Sequence, residues 1–191
     1  MRKLFAAMLM TIAILLTSCG GDSTKSEGQS AEAAKNTTLV AYFSCTGTTK
    51  ALAESAAIVL NADLYEIKPK VPYTAEDLDY HNEASRSTVE MKDDSARPEI
   101  DGTIENFAQY DTVVIAYPIW WHQAPRIIDT FVESYDWNGK KVIPICTSGG
   151  SDIGTSASYI ANLAKTGNWQ AGHCFFNQTE AGAVQEWAKG L

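Results

Sequence analysis

Short apolar runs alternate with helix-like patterns from Leu39 to the end of the chain. The runs are rich in β-branched and aromatic residues and lie between polar turns, which is typical of buried strands. Strands are predicted at Leu39–Phe43, Asp63–Lys68, Thr112–Tyr117, Lys141–Cys146 and about Ala171–Asn177. Strands that alternate with helices predict βαβ units and a doubly wound parallel sheet.

Apolar residues recur at helical spacing between these strands. The first predicted helix places on one face Leu52, Ala56, Val59 and Leu60. A second begins just after Pro125 and buries Ile127, Ile128, Phe131 and Val132. The last runs from about Thr179 to Lys189, with inward-facing Ala181, Val184 and Ala188 and with Trp187 at the flank. The charged stretch from Pro69 to Asp101 must contain the crossover between the second and third strands, and part of it is expected to be helical.

The first 18 residues have the pattern of an export signal. A short basic start precedes an apolar run from Leu4 to Leu16, which is too short to span a bilayer comfortably. The junction Leu16-Thr17-Ser18-Cys19 resembles the bacterial lipobox, in which the cysteine carries the lipid, and this implies lipidation of Cys19. The alternatives are a cleaved soluble signal with an incidental cysteine and an uncleaved anchor. Residues 19–37 are polar and predict a flexible tether, so the folded domain is expected over residues 38–191.

Length, charge and cysteine spacing exclude several classes of protein. The chain has 191 residues, of which 45% are apolar, enough for one domain with a substantial core. Its formal net charge of −8 makes nucleic acid an unsuitable partner. Three cysteines follow Cys19, namely Cys45, Cys146 and Cys174, with spacing that predicts neither a disulfide framework nor a zinc site. In an exported protein an odd number leaves at least one free thiol or an intermolecular bond.

The turn after the first strand is suited to holding a phosphate. It reads Ser44-Cys45-Thr46-Gly47-Thr48-Thr49-Lys50 and leads directly into the first helix. Loop amides and the unpaired N–H groups of the helix start point the same way, the helix dipole adds positive potential, and the hydroxyls add donors. The loop therefore predicts an anion site that needs no arginine.

Two further loops are expected at the same edge of the sheet. In an open parallel sheet, ligands bind beyond the carboxyl ends of the strands, where the strand order reverses. The third strand is followed by Pro118, Ile119, Trp120, Trp121 and His122, and the fourth by Thr147, Ser148, Gly149, Gly150, Ser151, Asp152 and Ile153. All three loops share one edge if the strand order is 2-1-3-4-5. Aromatic rings and close-approaching glycine backbone beside a phosphate cradle predict a mononucleotide with a large flat ring.

With these motifs the chain resembles the flavodoxin-like family, whose fold is a three-layer α/β sandwich around a five-stranded parallel sheet of order 2-1-3-4-5. The apolar strand, Ser/Thr-x-Thr-Gly-x-Thr and helical alanine of that family match Val40 through Ala53, with Ala41 smaller than usual. The resemblance implies FMN as the cofactor. It implies that the phosphate is held by Ser44, Cys45, Thr46, Gly47, Thr48 and Thr49, and that the ring is framed by residues 118–122 and 147–153. One of the two tryptophans is expected to be structural.

His122 departs from the pattern, because this subgroup commonly has glycine there. A nearby backbone flip stabilises the one-electron state of the flavin in related proteins, and a non-glycine residue makes positive φ costlier. His122 could instead donate a proton to reduced flavin or to a quinone. Cys45 suggests a second alternative, a low-molecular-weight phosphatase, but Ala51 occupies the position where that family needs arginine.

The sequence thus predicts an electron-transfer protein tethered to a bacterial membrane through its lipid, facing the periplasm or the exterior. It would need no catalytic side chain. Redox partner proteins, with basic faces if the acidic runs of the chain steer them, are the expected partners. The alternative is a flavin-dependent NAD(P)H or quinone oxidoreductase, and a third possibility is a flavin-free interaction protein.

Overall fold

A computed structural model of the protein describes residues 37–176 and 181–191. The predicted signal, Cys19 and nearly all of the tether lie outside the described residues. So does the start of the predicted last helix, at Thr179.

A parallel sheet forms the centre of the described domain. Its long strands are β1 (Thr38–Tyr42), β3 (Thr112–Pro118) and β4 (Lys141–Thr147), and its short ones are β2 (Asp63–Glu66), β5 (Asn168–Trp169) and β6 (His173–Phe175). The order is β2-β1-β3-β4-β5, with β6 also paired to β4. The predicted order is confirmed, and it brings the carboxyl ends of β1, β3 and β4 side by side.

The last predicted strand is broken into two pieces, which corrects the single strand expected over residues 171–177. Trp169 pairs with Val142 and His173 pairs with Ile145. The segment from β5 to β6 therefore contains one residue more than the part of β4 that it faces. The break lies opposite Pro144, which has no N–H to donate to a ladder. Gly172 passes so close to Ile153 that a Cβ there would lie 2.1 Å from the end of that side chain. Apolar periodicity does not reveal such a bulge.

Helices cover both faces of the sheet. Helices α1 (Thr48–Leu60) and α5 (Ala181–Ala188) pack together on one face, and α3 (Arg126–Glu133) and α4 (Ser156–Ala164) pack together on the other. Helix α3 begins directly after Pro125, as predicted, and α5 buries Val184. Helix α4 has no counterpart among the sequence predictions, because its outer positions are polar and its apolar stripe is short.

The long crossover between β2 and β3 contains α2 (Arg86–Lys92) and a 3₁₀ turn at Phe107–Gln109. Ser85 begins α2 as its N-cap, since its side chain accepts a hydrogen bond from the Thr88 amide. Part of the segment is therefore helical, as expected. Among the described residues no helix is long and apolar enough to cross a membrane.

Candidate functional site

The three predicted loops meet around one cleft at the carboxyl edge of the sheet. Its volume is about 280 Å³. A buried hydrogen bond of 2.6 Å joins the hydroxyls of Thr49, at the start of α1, and Thr147, at the end of β4. These residues are 98 positions apart, so the fold itself assembles the cleft.

One end of the cleft is rich in hydrogen-bond donors. Gly47 adopts φ 91°, a left-handed conformation that glycine takes without strain, and its amide donates to the Ser44 hydroxyl at 3.1 Å. The turn is thereby closed, and α1 begins at the next residue. The first amides of α1 have no carbonyl one turn earlier to bond. Together with the hydroxyls of Thr46 and Thr48 they form a neutral anion cradle.

The loop after β3 forms a tight two-residue turn. Trp120 and Gln123 exchange both backbone hydrogen bonds at 2.9 Å, and Trp121 and His122 between them have φ of 44° and 65°. Positive φ at both central residues is the signature of a type I′ turn, which favours Asn-Gly. Such a turn favours glycine at position 122, and this chain adopts the conformation with histidine despite the strain.

The two tryptophans have different roles. Trp120 packs edge-on against Phe43 and Tyr73, with ring centroids 5.7 and 5.5 Å away, and is partly buried against the core. Trp121 lies at the rim with 43% of its surface exposed. Both line the cleft. Trp120 is thus the structural member of the pair, and Trp121 is available to a ligand.

The loop after β4 is ordered by its own side chains. The Ser148 hydroxyl accepts hydrogen bonds from the amides of Gly150 and Ser151, and Asp152 accepts one from the amide of Ile153. Gly149 lines the cleft, and a Cβ there would meet no atom within 4 Å. The glycine therefore leaves the approach to the cleft open.

The crossover between β2 and β3 supplies a fourth wall of the cleft, which was not predicted from the sequence. Leu78, Tyr80 and Ser87 line the cleft opposite the β3 and β4 loops. Tyr80 is 67% exposed and packs against His81 at a centroid distance of 4.0 Å, with the two rings tilted by 40°. The available signal was the length of the crossover, because long connections in compact domains usually carry function.

Buried charges attach this wall to the rest of the domain. Arg126 of α3 is 4% exposed and donates to the Met91 carbonyl, to Asp94 and to the Tyr159 hydroxyl. It also pairs at 3.2 Å with Asp129, which is completely buried. Burial disfavours the charged carboxylate more than the Arg126 guanidinium favours it, so the pKa of Asp129 is raised to about 6. Arg126 therefore ties α3 to the carboxyl end of α2, the helix whose first turn contributes Ser87 to the cleft.

Cys45 is unsuited to act as a nucleophile. It lies in the phosphate loop, but burial raises its pKa to about 12, with the nearby Arg86 opposing the shift only in part. A reactive cysteine needs the opposite change. Arg86 itself is occupied by Glu90, at 2.6 Å, and by the Tyr73 ring, 3.9 Å from its guanidinium carbon. This argues against the phosphatase alternative.

The structure places most of the predicted site residues together. The lining contains Ser44, Cys45, Thr46, Thr48, Thr49, Pro118, Ile119, Trp120, Trp121, Thr147, Ser148 and Gly149. The predicted residues that lie outside the lining are Gly47, His122, Gly150, Ser151, Asp152 and Ile153. Ile153 instead packs against the core, and His122 is exposed at the tip of its turn. Which of these residues contact a cofactor stays a prediction.

A comparison with protein families decides the classification. The Flavodoxin family model matches residues 37–191, which is the whole of the described domain. The chain belongs to the flavodoxin family. None of the curated proteins matches it.

Solved flavodoxin-like structures agree with this assignment. Proteins from Bacteroides eggerthii DSM 20697 and Bacteroides uniformis ATCC 8492, both provisionally described as flavoproteins, are 47% and 45% identical to this chain. They cover 82% and 81% of it, each over 98% of its own length, with TM-scores of 0.76 and 0.77. A flavoprotein from Lactobacillus acidophilus NCFM, crystallised in complex with FMN, is 21% identical over 81% of this chain and 99% of its own, with a TM-score of 0.62. At that identity the likeness shows the flavodoxin fold alone.

The flavodoxin cleft of this chain has the polarity that FMN requires. The Ser44–Thr49 loop contributes hydroxyls and amides, and Ile119, Trp120, Trp121 and Tyr80 contribute aliphatic and aromatic surface. A ligand with a phosphate and a flat ring needs both kinds of surface. No group of three or more histidine, cysteine or acidic side chains that could hold a metal occurs in the described part of the chain.

Proposed function

We propose that this flavodoxin-family protein binds FMN and transfers electrons between redox partners outside the cytoplasm. One observation carries the proposal: the cleft joins a neutral donor-rich loop to an aromatic rim. The relatives described as flavoproteins and the FMN complex of the Lactobacillus protein support it.

The residues of this chain have distinct tasks in the proposal. The amides of residues 45–49 and the hydroxyls of Ser44, Thr46 and Thr49 bind the phosphate. Trp121 and Tyr80 cover the ring and keep water from it, while the Gly149 backbone approaches its edge. When bound, FMN supplies one- and two-electron transfer, and the protein sets its potential through these contacts.

The lining favours a carrier over an enzyme. A reductase acting on a quinone needs a proton donor beside the ring. The titratable side chains among the described lining residues are Cys45 and Tyr80, and burial raises the pKa of Cys45 to about 12. His122, which motivated the oxidoreductase alternative, lies outside the lining. Tyr80 is therefore the one titratable side chain of the described lining from which an oxidoreductase could draw a proton, whereas a carrier needs no such donor.

Reconstitution with FMN tests the binding. Purified protein should become yellow, and FMN fluorescence should be quenched at one equivalent. Ser44→Ala removes a lining hydroxyl that also closes the phosphate loop, so we expect roughly tenfold weaker binding, the equivalent of about 1.4 kcal/mol. Ser158→Ala, on the exposed side of α4, is the matched control and should bind as the wild type does. A wild-type protein that stays colourless would exclude the proposal.

A reductive titration separates the carrier from the oxidoreductase. When the titration is followed by visible spectroscopy, a carrier should be reduced in two resolved one-electron steps. Reduction in a single two-electron step, with steady-state turnover of a quinone by NAD(P)H, would favour the oxidoreductase. His122→Gly should increase the separation of the two steps if positive φ at this position controls the one-electron state.

We also propose that a lipid on Cys19 tethers the protein to the cell envelope. The lipobox-like junction at residues 16–19 and the polar tether after it support this. Metabolic labelling with palmitate should mark the wild type, and Cys19→Ala should lose both the label and membrane association. A labelled Cys19→Ala protein would refute lipidation at this residue.

Acidic residues beside the cleft support a basic-faced redox partner. Glu76, Asp77 and Asp79 flank Leu78 and Tyr80 of the fourth wall. Charge of one sign next to a redox site increases the rate of encounter with a partner of the other sign. The rate of electron transfer to such a partner should fall as salt rises, and Glu76→Gln should reduce that dependence. A rate independent of salt would contradict electrostatic steering.

A further inference from the structure

Two of the three described thiols face each other inside the domain. Cys146 of β4 and Cys174 of β6 are register partners on neighbouring parallel strands, and both contribute to the same core cluster. They therefore project from the same side of the sheet. Neighbouring strands lie about 4.8 Å apart, within the Cα separation of roughly 4.4–6.8 Å that a disulfide spans. Neither cysteine forms a disulfide in this structure.

The Cys174 thiol also connects this pair to the loop after β4. Burial raises the pKa of Cys146, and the neighbouring Cys174 sulfur adds to that shift. The Cys174 thiol donates to the Ser151 carbonyl at 3.5 Å. Ser151 lies two residues after Gly149, which lines the cleft. A change at the Cys174 thiol therefore alters a hydrogen bond of the loop that borders the cleft.

We propose that Cys146 and Cys174 are a redox-sensitive pair that closes to a disulfide between β4 and β6. Burial raises the pKa of Cys174, so its thiolate forms once local opening of β6 exposes it to water; with 8% exposure against 0% for Cys146, it is the sulfur that reacts first. Its thiolate attacks a protein or low-molecular-weight disulfide, one thiol leaves, and Cys146 then displaces the second thiol from Cys174. Two protein thiols and one external disulfide thus become one protein disulfide and two external thiols.

The position of β6 provides access. It has three register pairs, all with β4, and lies beside β5 at the edge of the sheet. Local opening of so short an edge strand exposes Cys174 without unfolding the domain. Cys45 lies in the phosphate loop after β1, outside this register, and is the cysteine left unpaired.

The disulfide also acts on the cleft. Forming the disulfide removes the thiol proton that Cys174 donates to the Ser151 carbonyl, so the loop after β4 loses this hydrogen bond. We expect the FMN dissociation constant to change by about threefold between the two forms, the effect of one weak hydrogen bond. This consequence rests on the proposed function, whereas the disulfide itself does not.

Redox titration of the purified full-length chain tests the pair. The protein is equilibrated with glutathione buffers from reducing to oxidising, alkylated after denaturation, and analysed by intact and peptide mass spectrometry. We expect loss of two hydrogen atoms, protection of Cys146 and Cys174 together, and a peptide that joins them. Cys45→Ser should keep this bond, and Cys174→Ser should lose it.

The experiment distinguishes failure of the disulfide from failure of FMN binding. Alkylation of Cys146 and Cys174 at every glutathione ratio, or a bond that includes Cys45, would overturn the proposal even if FMN binds normally. This measurement on the wild type does not depend on the folding of any variant. A disulfide that forms while the dissociation constant of FMN stays the same would overturn the coupling to the loop.

Discussion

Arg126 offers the sharpest test of how the cleft is held together. It is 4% exposed and joins α3 to the crossover wall through the Met91 carbonyl and Asp94, and to α4 through Tyr159 at 2.9 Å. It is also the nearest cation to the fully buried Asp129, since Arg97 stands 3.9 Å away. Arg126→Met keeps much of the side-chain volume and removes every one of these polar contacts.

The expected loss follows from what the variant leaves behind. Removing one partner of a buried ion pair costs about 3–5 kcal/mol, because the remaining charge stays desolvated. We therefore expect Arg126→Met to lower the free energy of unfolding by that amount at pH 8. The cost should be smaller at pH 5, where Asp129, with its pKa near 6, is largely neutral. Arg126→Met/Asp129→Leu should recover most of the loss, since a buried pair replaced by apolar groups is often neutral.

Urea unfolding followed by tryptophan fluorescence measures these differences. FMN affinity should weaken in the single variant, because α2, which contributes Ser87 to the cleft, is no longer bonded to Arg126 of α3. Lys70→Met breaks the exposed Lys70–Glu99 pair and serves as the control, with no change in the unfolding midpoint expected. A loss below about 1 kcal/mol for Arg126→Met, or a double variant no more stable than the single one, would show that the Arg126–Asp129 pair does not stabilise the domain.

Three further predictions follow from the site and its surroundings. His122→Gly should raise the free energy of unfolding by about 1 kcal/mol in the same urea assay, because glycine adopts φ 65° without the left-handed penalty; a loss would contradict the assigned strain. Trp120→Ala should cost about 3 kcal/mol or more of stability, whereas Trp121→Ala should weaken FMN binding with little loss of stability; equal effects in both assays would refute the division of roles. Between about pH 4 and pH 6 folded Asp129 keeps a proton that the unfolded chain has released, so stability should fall as the pH rises through this window and level off above it. Asp129→Asn should remove that fall, and an unchanged slope would assign it to another group.

Local periodicity explains why much of the fold could be predicted. The apolar runs at residues 39–43, 112–117 and 141–146 are strands within a residue or two at each end, and the start of α3 after Pro125 is placed correctly. Spacing between neighbouring residues encodes such elements, because a buried strand must be apolar and a helix must have an apolar stripe. The connection of these strands through helices then leaves few possible orders.

Long-range contacts explain what could not be predicted. The bulge beside Gly172 lies against Ile153 and Pro144, and Tyr80 lines the cleft although it belongs to the crossover and not to the three loops. Neither has a signature in nearby residues.

The pattern of residues along the chain was thus enough to identify the loops at the carboxyl edge of the sheet and their suitability for a phosphate and a flat ring. The folded domain was needed to show which tryptophan is exposed, which residues outside those loops complete the cleft, and that Cys146 faces Cys174. The physical reason is that strand and helix formation depend on neighbours a few positions away, whereas burial and pairing depend on residues that meet only after the chain has folded.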